Sequence, residues 1–434
     1  MVVSRPQATR KRYGILALIF VTVVINYMDR SNISVAAAAL GQELELTKVQ
    51  LGFIFSAFGV TYSLLQIPGG ILADHFRARF LYPLILVLWS LATLLQGLAN
   101  SLAALVGLRA AIGVFEAPSY PMNNRIVTSW FPDRERASAI AVYTSGQFIG
   151  LAFLTPLLVT IQAYAGWRGL FIFSGLVGIV WAVVWYRAYR DPRRHGGVNA
   201  EELSLIAGGG GLVDAAHKPA ERGRVNFTPS DLREAFVHRK LWGIYLGQFC
   251  LGSTFIFFLT WFPTYLVEFR GLDFIKSGFL AAIPFLAAFF GVLLAGFLSD
   301  YLVRRGVSPE ASRKGPIILG MLLSTLIVGA NYTDDTAWVI FFLAIAFFGN
   351  GLASITWVFV SLLAPRRLIG LVGGVFNFIG GLAAVVTPTV IGYLSRDGDF
   401  APALLFISGM ALLGVACYGV LVGKIERIGE GKAG

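Results

Sequence analysis

Two acids and two bases stand where a membrane-crossing helix would ordinarily carry none. Asp29 and Arg30 lie side by side in the stretch Asn26-Tyr27-Met28-Asp29-Arg30-Ser31-Asn32, inside an otherwise apolar run from Tyr13 to Leu40. Arg109 and Glu116 lie in a second apolar run. They are seven residues apart, two helical turns, which puts both on one face with Gly113 between them. A charge at the centre of a spanning helix costs roughly 2.5–3.5 kcal/mol on insertion scales, so four total about 10 kcal/mol before pairing. The plain alternative is a set of salt bridges pinning helices together. Against it, apolar replacements of buried ion pairs are often neutral or stabilising, so glue alone gives little reason to keep them. The chemistry indicated is a proton relay joined to an anion site.

The elements that position these groups follow from composition. Of 434 residues, 56% are hydrophobic and only 14% charged, which describes an all-α membrane protein crossing the bilayer many times. Hydropathy predicts twelve spans, at roughly 15–39, 51–72, 80–98, 102–123, 138–163, 167–187, 241–267, 275–300, 315–331, 336–362, 368–394 and 402–423. A tail (1–14) precedes a six-helix half (15–187). A polar linker (188–240) follows, then a second half (241–423) and a short tail (424–434). In the linker, Gly208 to Gly211 and the charged stretch Lys218 to Arg224 read as flexible. Thr228-Pro229-Ser230-Asp231 reads as the start of a short surface helix. Most of the 35 Lys and Arg fall in the tails, the linker and one alternating set of loops, which puts both termini and the linker in the cytosol. The net charge of +11 is therefore a topology signal, not a nucleic-acid footprint.

The halves echo each other. Gly70-Ile-Leu-Ala-Asp74 with Arg77 and Arg79 follows the second span, and Gly296-Phe-Leu-Ser-Asp300 with Arg304 and Arg305 follows the eighth. This suits a gating joint, in which glycine lets helices approach and the acid caps a helix or pairs with nearby bases. The second half carries no comparable charges within its spans. Its polar residues are neutral: Gln248, Thr254, Asn350, Ser354, Thr356, Trp357 and Asn377. Singly, each reads as a helix–helix hydrogen bond. Together they assign charge chemistry to one half and neutral hydrogen bonding to the other. No phosphate-binding loop, metal-spaced histidines or paired nucleophile is present, so no cofactor, metal or enzyme activity is indicated. A receptor would need a signalling domain for which linker and tail are too short.

The motifs Asn26 to Arg30, Gln66-Ile-Pro-Gly-Gly70, Gly113 to Pro118, Asn123-Asn-Arg125, Tyr143 to Gln147, Gly349 to Trp357 and Gly373 to Asn377 resemble the major facilitator superfamily. Within it the chain resembles the anion:cation symporter family of organic-acid transporters, nearly end to end. It departs from the usual loop motif with His75 and Arg77, where arginine and glycine are common. The resemblance implies a monomeric, proton-coupled, alternating-access importer of a sugar acid (an aldonate, D-galactonate first) in the bacterial inner membrane. Its rivals are a hexuronate or other organic-anion symporter and an organic-anion exchanger. Carried over by position, the resemblance makes Asp29 and Glu116 the protonatable pair, with Arg30 and Arg109 balancing them or meeting the substrate carboxylate. It makes Tyr27, Tyr62, Gln147, Ser354, Thr356, Trp357 and Asn377 the sugar-acid contacts. Gly70, Asp74, Arg79, Gly296 and Asp300 form the gating motif.

Overall fold

The computed structural model describes residues 7–213, 229–308, 310–365 and 368–428, and these are helical with no strand. Ten helices are long and apolar enough to cross a membrane, and the bent pair Lys48–Leu64 and Gln66–Ala73 makes an eleventh. The longest of the ten, Ser138–Ala188, is two spans in one, because Gly166 (φ 69°) breaks the helix within it. That makes the twelve expected crossings among the described residues. Several spans are bent where the sequence has proline or paired glycines. The fourth stops at Leu102–Glu116, turns through Pro118 and resumes as Ser119–Trp130, beyond the expected limit of 123. The tenth tightens into a 3-10 turn, Ala353–Trp357, between Thr336–Leu352 and Val358–Leu363.

The chain forms two compact units. The first comprises the described residues up to Arg30, Thr61–Gly150 and Arg168 to 213. Its tightest polar knot ties the start of the first helix, Lys11–Glu43, to a helix in the linker, Ala200–Gly208. Glu202 is fully buried and accepts from Thr9 Oγ1, from the backbone N–H groups of Lys11 and Arg12, and from the Arg12 guanidinium. A carboxylate thus covers the orphan donors at another helix's N-terminus, where the helix dipole favours negative charge. Asn199 caps its own helix through Glu202 N–H and holds Thr9 N–H as well.

The glycine run after this helix is not the expected flexible joint. Gly210 adopts φ 87°, and Gly211 and Gly210 return their N–H groups to Ile206 and Ala207, which closes the helix with a Schellman cap. The other expected flexible stretch, Lys218 to Arg224, and Thr228 lie outside the described residues. The helix Pro229–Val237 follows them.

Burial drives the Glu202 carboxyl up, but the bonds from Thr9, Arg12 and Lys11 outweigh it and hold it below the ordinary glutamate value. A depressed folded value means the stabilisation is complete above the unfolded value of about 4.3 and fades as pH falls through the folded one. Glu202→Gln should therefore melt several degrees lower than the native protein at pH 7, from a loss of about 2–3 kcal/mol. The two melting curves should converge on acidification. Equal melting at pH 7 would show that the knot contributes nothing.

The second unit comprises Ser31–Val60, Leu151–Trp167 and the chain from 229 onward. Its core gathers Tyr245, Ile317, Met321, Phe359, Val372, Phe376 and Tyr418. The second span meets the eleventh backbone to backbone at two glycines. A Cβ on Gly59 would lie 2.6 Å from the Ala384 carbonyl oxygen, and one on Gly52 would lie 2.8 Å from that of Pro388. Pro388 has no N–H, so the Ala384 carbonyl one turn back lacks its helical donor and is open to this approach. Ser56 Oγ donates to the Val385 carbonyl at 2.7 Å, and Lys48 pairs with Glu268.

Candidate functional site

The four intramembrane charges converge within the first unit. Arg30 Nε donates to Glu116 Oε2 at 3.0 Å, and Asn26 Nδ2 donates to Glu116 Oε1. Glu116 is fully buried, and Arg30 nearly so. The Arg30 guanidinium lies over the rings of Tyr27 and Tyr62, 4.9 and 4.6 Å from their centroids, which aromatic faces favour for a planar cation. Asp29, also fully buried, accepts from the Trp89 indole N–H at 3.1 Å through Oδ2. Arg109 donates to the backbone carbonyl of Asp29 at 3.1 Å.

Adjacent helix positions diverge by about 100°, which explains the division. Arg30 turns toward Glu116 and the tyrosines, while Asp29 turns toward Trp89. Arg109, Gly113 and Glu116 share the buried face of their helix, as their spacing requires. Gln147 is half-buried on the fifth span. There Gly146 and Gly150 meet Phe20 and Val24 of the first span.

Of the candidate contacts in the second unit, Thr356 is fully buried and donates through Oγ1 to Gln248 Oε1 at 2.7 Å. Its hydroxyl is thus spent on orienting a carboxamide. Ser354 is half-buried on the same 3-10 turn. Trp357 is 51% exposed, with its ring edge-on to Phe376, and Asn377 is exposed on the eleventh span. Asn350 makes a helix–helix bond to the Leu251 carbonyl.

The residues expected to form a gating joint are arranged differently from expectation in one respect. No described atom lies within 4 Å of a Cβ on Gly70 or Gly296, whereas one on Gly69 would sit 3.0 Å from Ala117 and Pro118. The close helix approach therefore falls on Gly69. Gly70 is the neighbour that turns away. Arg79 lies over the rings of Phe80 and Tyr186, and the side chains of Asp74 and Asp300 lie outside the description. Arg125, from the fourth span's lower segment, donates to the carbonyls of Ala73 and Phe76 and so caps the end of the second span.

Sequence reasoning left Asn26 and Trp89 outside the site and named Gln248 only among the neutral polar residues of the second half. Asn26 stands within the first motif and so was available to it. Trp89 is one of nine tryptophans, with nothing local to distinguish it.

A helical bundle of twelve crossings with paired charges buried in its first half defines a membrane transporter of one large class. The chain belongs to the major facilitator superfamily, whose model matches residues 19–388. It is 52% identical to the D-galactonate transporter of Escherichia coli O6:H1 (strain CFT073), over 98% of this chain and 99% of that protein. It is 41% identical to the probable galactarate/D-glucarate transporter GarP of Escherichia coli K12, with 98% of each chain covered. In fold it is similar to a bacterial homologue of the human lysosomal transporter Spinster in an inward-facing, occupied conformation. That match has a TM-score of 0.76 at 18% identity, covering 96% of this chain and 97% of that one. Family and relatives alike are transporters, not enzymes.

Proposed function

We propose that this protein imports a sugar acid, with D-galactonate as its principal substrate, together with protons across the bacterial inner membrane by alternating access. The observation that carries the coupling is the buried Arg30–Glu116 pair. While Glu116 is ionised it occupies the guanidinium. Once protonated it releases that pairing, and Arg30 can present its fork to the substrate carboxylate. Proton uptake thus makes the anion site. Asp29, on the Trp89 side, takes the second proton, so import of a monoanion moves net positive charge inward.

An aldonate has one carboxylate and a hydroxyl-rich remainder. It matches one guanidinium flanked by tyrosines, with neutral donors from the seventh, tenth and eleventh spans: Gln248 held by Thr356, Ser354, Trp357 and Asn377. The 52% identity to a D-galactonate transporter supports the same substrate. The distribution of Lys and Arg supports both termini and the linker in the cytosol. To this reading belong six-helix halves at 15–187 and 241–423 and a monomer as the working unit.

The test is uptake of labelled D-galactonate, galactarate and glucuronate into proteoliposomes under an imposed pH gradient. D-galactonate should accumulate fastest and lose its accumulation when a protonophore collapses the gradient. Uptake indifferent to the gradient would sink the symport reading, and preferred uptake of galactarate would move the substrate to the aldarates. Thr356→Val should weaken D-galactonate binding about fivefold, near 1 kcal/mol, by releasing Gln248. Gln248→Leu should weaken it further. An equal drop in melting temperature without loss of affinity would reassign Thr356 to packing.

A further inference from the structure

The third span, Ala78–Gln96, carries polar groups that neither the anion site nor the fold uses. Trp89, Thr93 and Gln96 fall at i, i+4 and i+7, within one narrow face of the helix, and all three are fully buried. Trp89 touches Asp29. Beyond it, the Thr93 hydroxyl and both polar atoms of the Gln96 carboxamide have no hydrogen-bond partner among the described residues, and neither has the Asp29 oxygen that the indole leaves uncovered.

A buried polar group without a partner costs about 1–3 kcal/mol, and Gln96 alone would incur that at both ends. Native interiors meet such demands with ordered water, typically making about three bonds per molecule. Water held along the stripe would meet these demands. From Trp89 to Gln96 the stripe rises about 10 Å at 1.5 Å per residue, a span bridged by a few waters in file.

We propose that this face of the third span is the proton entry route: a water file held by Gln96 and Thr93 delivers protons from the outer side to Asp29. The inference rests on the symport reading and topology above, which put Gln96 at the outer end. In balance, a proton from the outer solution enters the file at Gln96. Each water, and the Thr93 hydroxyl, accepts one proton and passes on another. The last water donates to the free oxygen of Asp29, turning carboxylate to carboxylic acid, and each carrier in the file, having gained one O–H bond and lost another, is left as it began. Gln96 does not itself ionise. Its carboxamide holds a water as both donor and acceptor. The charged groups around the receiving end are Arg109 on the Asp29 carbonyl, and Arg30 with Glu116. At the far end Arg168 donates to the carbonyls of Gly97 and Ala99.

The experiment uses the full-length protein in proteoliposomes with Thr93→Val, Gln96→Leu and the hydroxyl-retaining Thr93→Ser. Two readouts are taken: D-galactonate counterflow at equal internal and external pH, and initial uptake driven by a pH gradient. In counterflow a loaded carrier can keep its protons, so Thr93→Val and Gln96→Leu should retain it within about twofold. Gradient-driven uptake should fall about tenfold in each, a barrier of about 1.4 kcal/mol, and Thr93→Ser should restore it. Variants with native driven uptake, in a protein whose wild type responds to the gradient, would overturn the route and leave symport standing. Loss of both activities together with a lowered melting temperature would overturn it in favour of packing. A wild type that ignores the gradient would overturn the symport reading, and the route with it.

Discussion

Asp29→Asn and Glu116→Gln will each reduce gradient-driven accumulation to the level of protein-free liposomes, while Glu116→Gln keeps counterflow. The geometry gives the reason for the difference. Glu116 accepts from both Asn26 and Arg30, and its ionised form is what ties up the guanidinium. Glutamine keeps the shape and an acceptor but cannot hold an ion pair, so it imitates the protonated, substrate-ready state permanently. Exchange of substrate for substrate then proceeds, and net proton-coupled cycling does not. Asp29→Asn also stops coupling, with binding less affected, because Asp29 engages Trp89 and not Arg30. Counterflow at equal pH beside driven uptake measures both. Full driven uptake in both mutants would make the acids structural. Joint loss of binding and counterflow in Glu116→Gln would show that the carboxylate shapes the site instead of gating it.

The second large effect is expected at Arg30, where Arg30→Lys will weaken D-galactonate binding by one to two orders of magnitude although the charge is kept. A guanidinium can stack between the rings of Tyr27 and Tyr62 and still present two parallel N–H bonds to a carboxylate. An ammonium is a hydrated point charge that does neither. Losing one charge-assisted bond of about 1.5–3 kcal/mol corresponds to that range. Titration calorimetry on the purified protein decides it. Near-native affinity would reduce Arg30 to a point charge.

The charge cluster was legible because its cost made it so. Asp29, Arg30, Arg109 and Glu116 stand out of apolar runs, and their helical spacing predicts the faces that the structure shows. Which acid meets which base was not legible, since that depends on how separate helices rotate against one another. The resemblance paired the acids with the two arginines, and the observed contact of Arg109 is with the backbone carbonyl of Asp29, not its carboxylate. Trp89 carries no local mark, and its role exists only through packing. The fourth span's boundary failed where the helix bends, since past Pro118 it resumes and runs to Trp130; the tenth kept its expected limits, and only its tightening at Ala353–Trp357 left no trace in the apolar run. The linker helix failed for a different reason. Ala200–Gly208 is short, and its stabilising partner, the start of the first helix, lies some 190 residues away in sequence.

The seam at Gly52 and Gly59 bears on how little such a carrier leaks. At these two glycines the backbones meet directly, and between them the short Ser56 hydroxyl bonds across. Dispersion at such a contact is steep: a gap of about 0.5–1 Å already forfeits a quarter to a half of the attraction. Lys48–Glu268, a partly solvated pair, adds little to hold an intermediate separation. If the carrier opens along this seam, the first fraction of an ångström of separation forfeits much of the contact, which favours the shut seam over a half-open one through which ions could slip uncoupled to substrate. A methyl group at Gly59 would wedge it, and the first symptom would be dissipation of the proton gradient by a carrier that still binds its cargo.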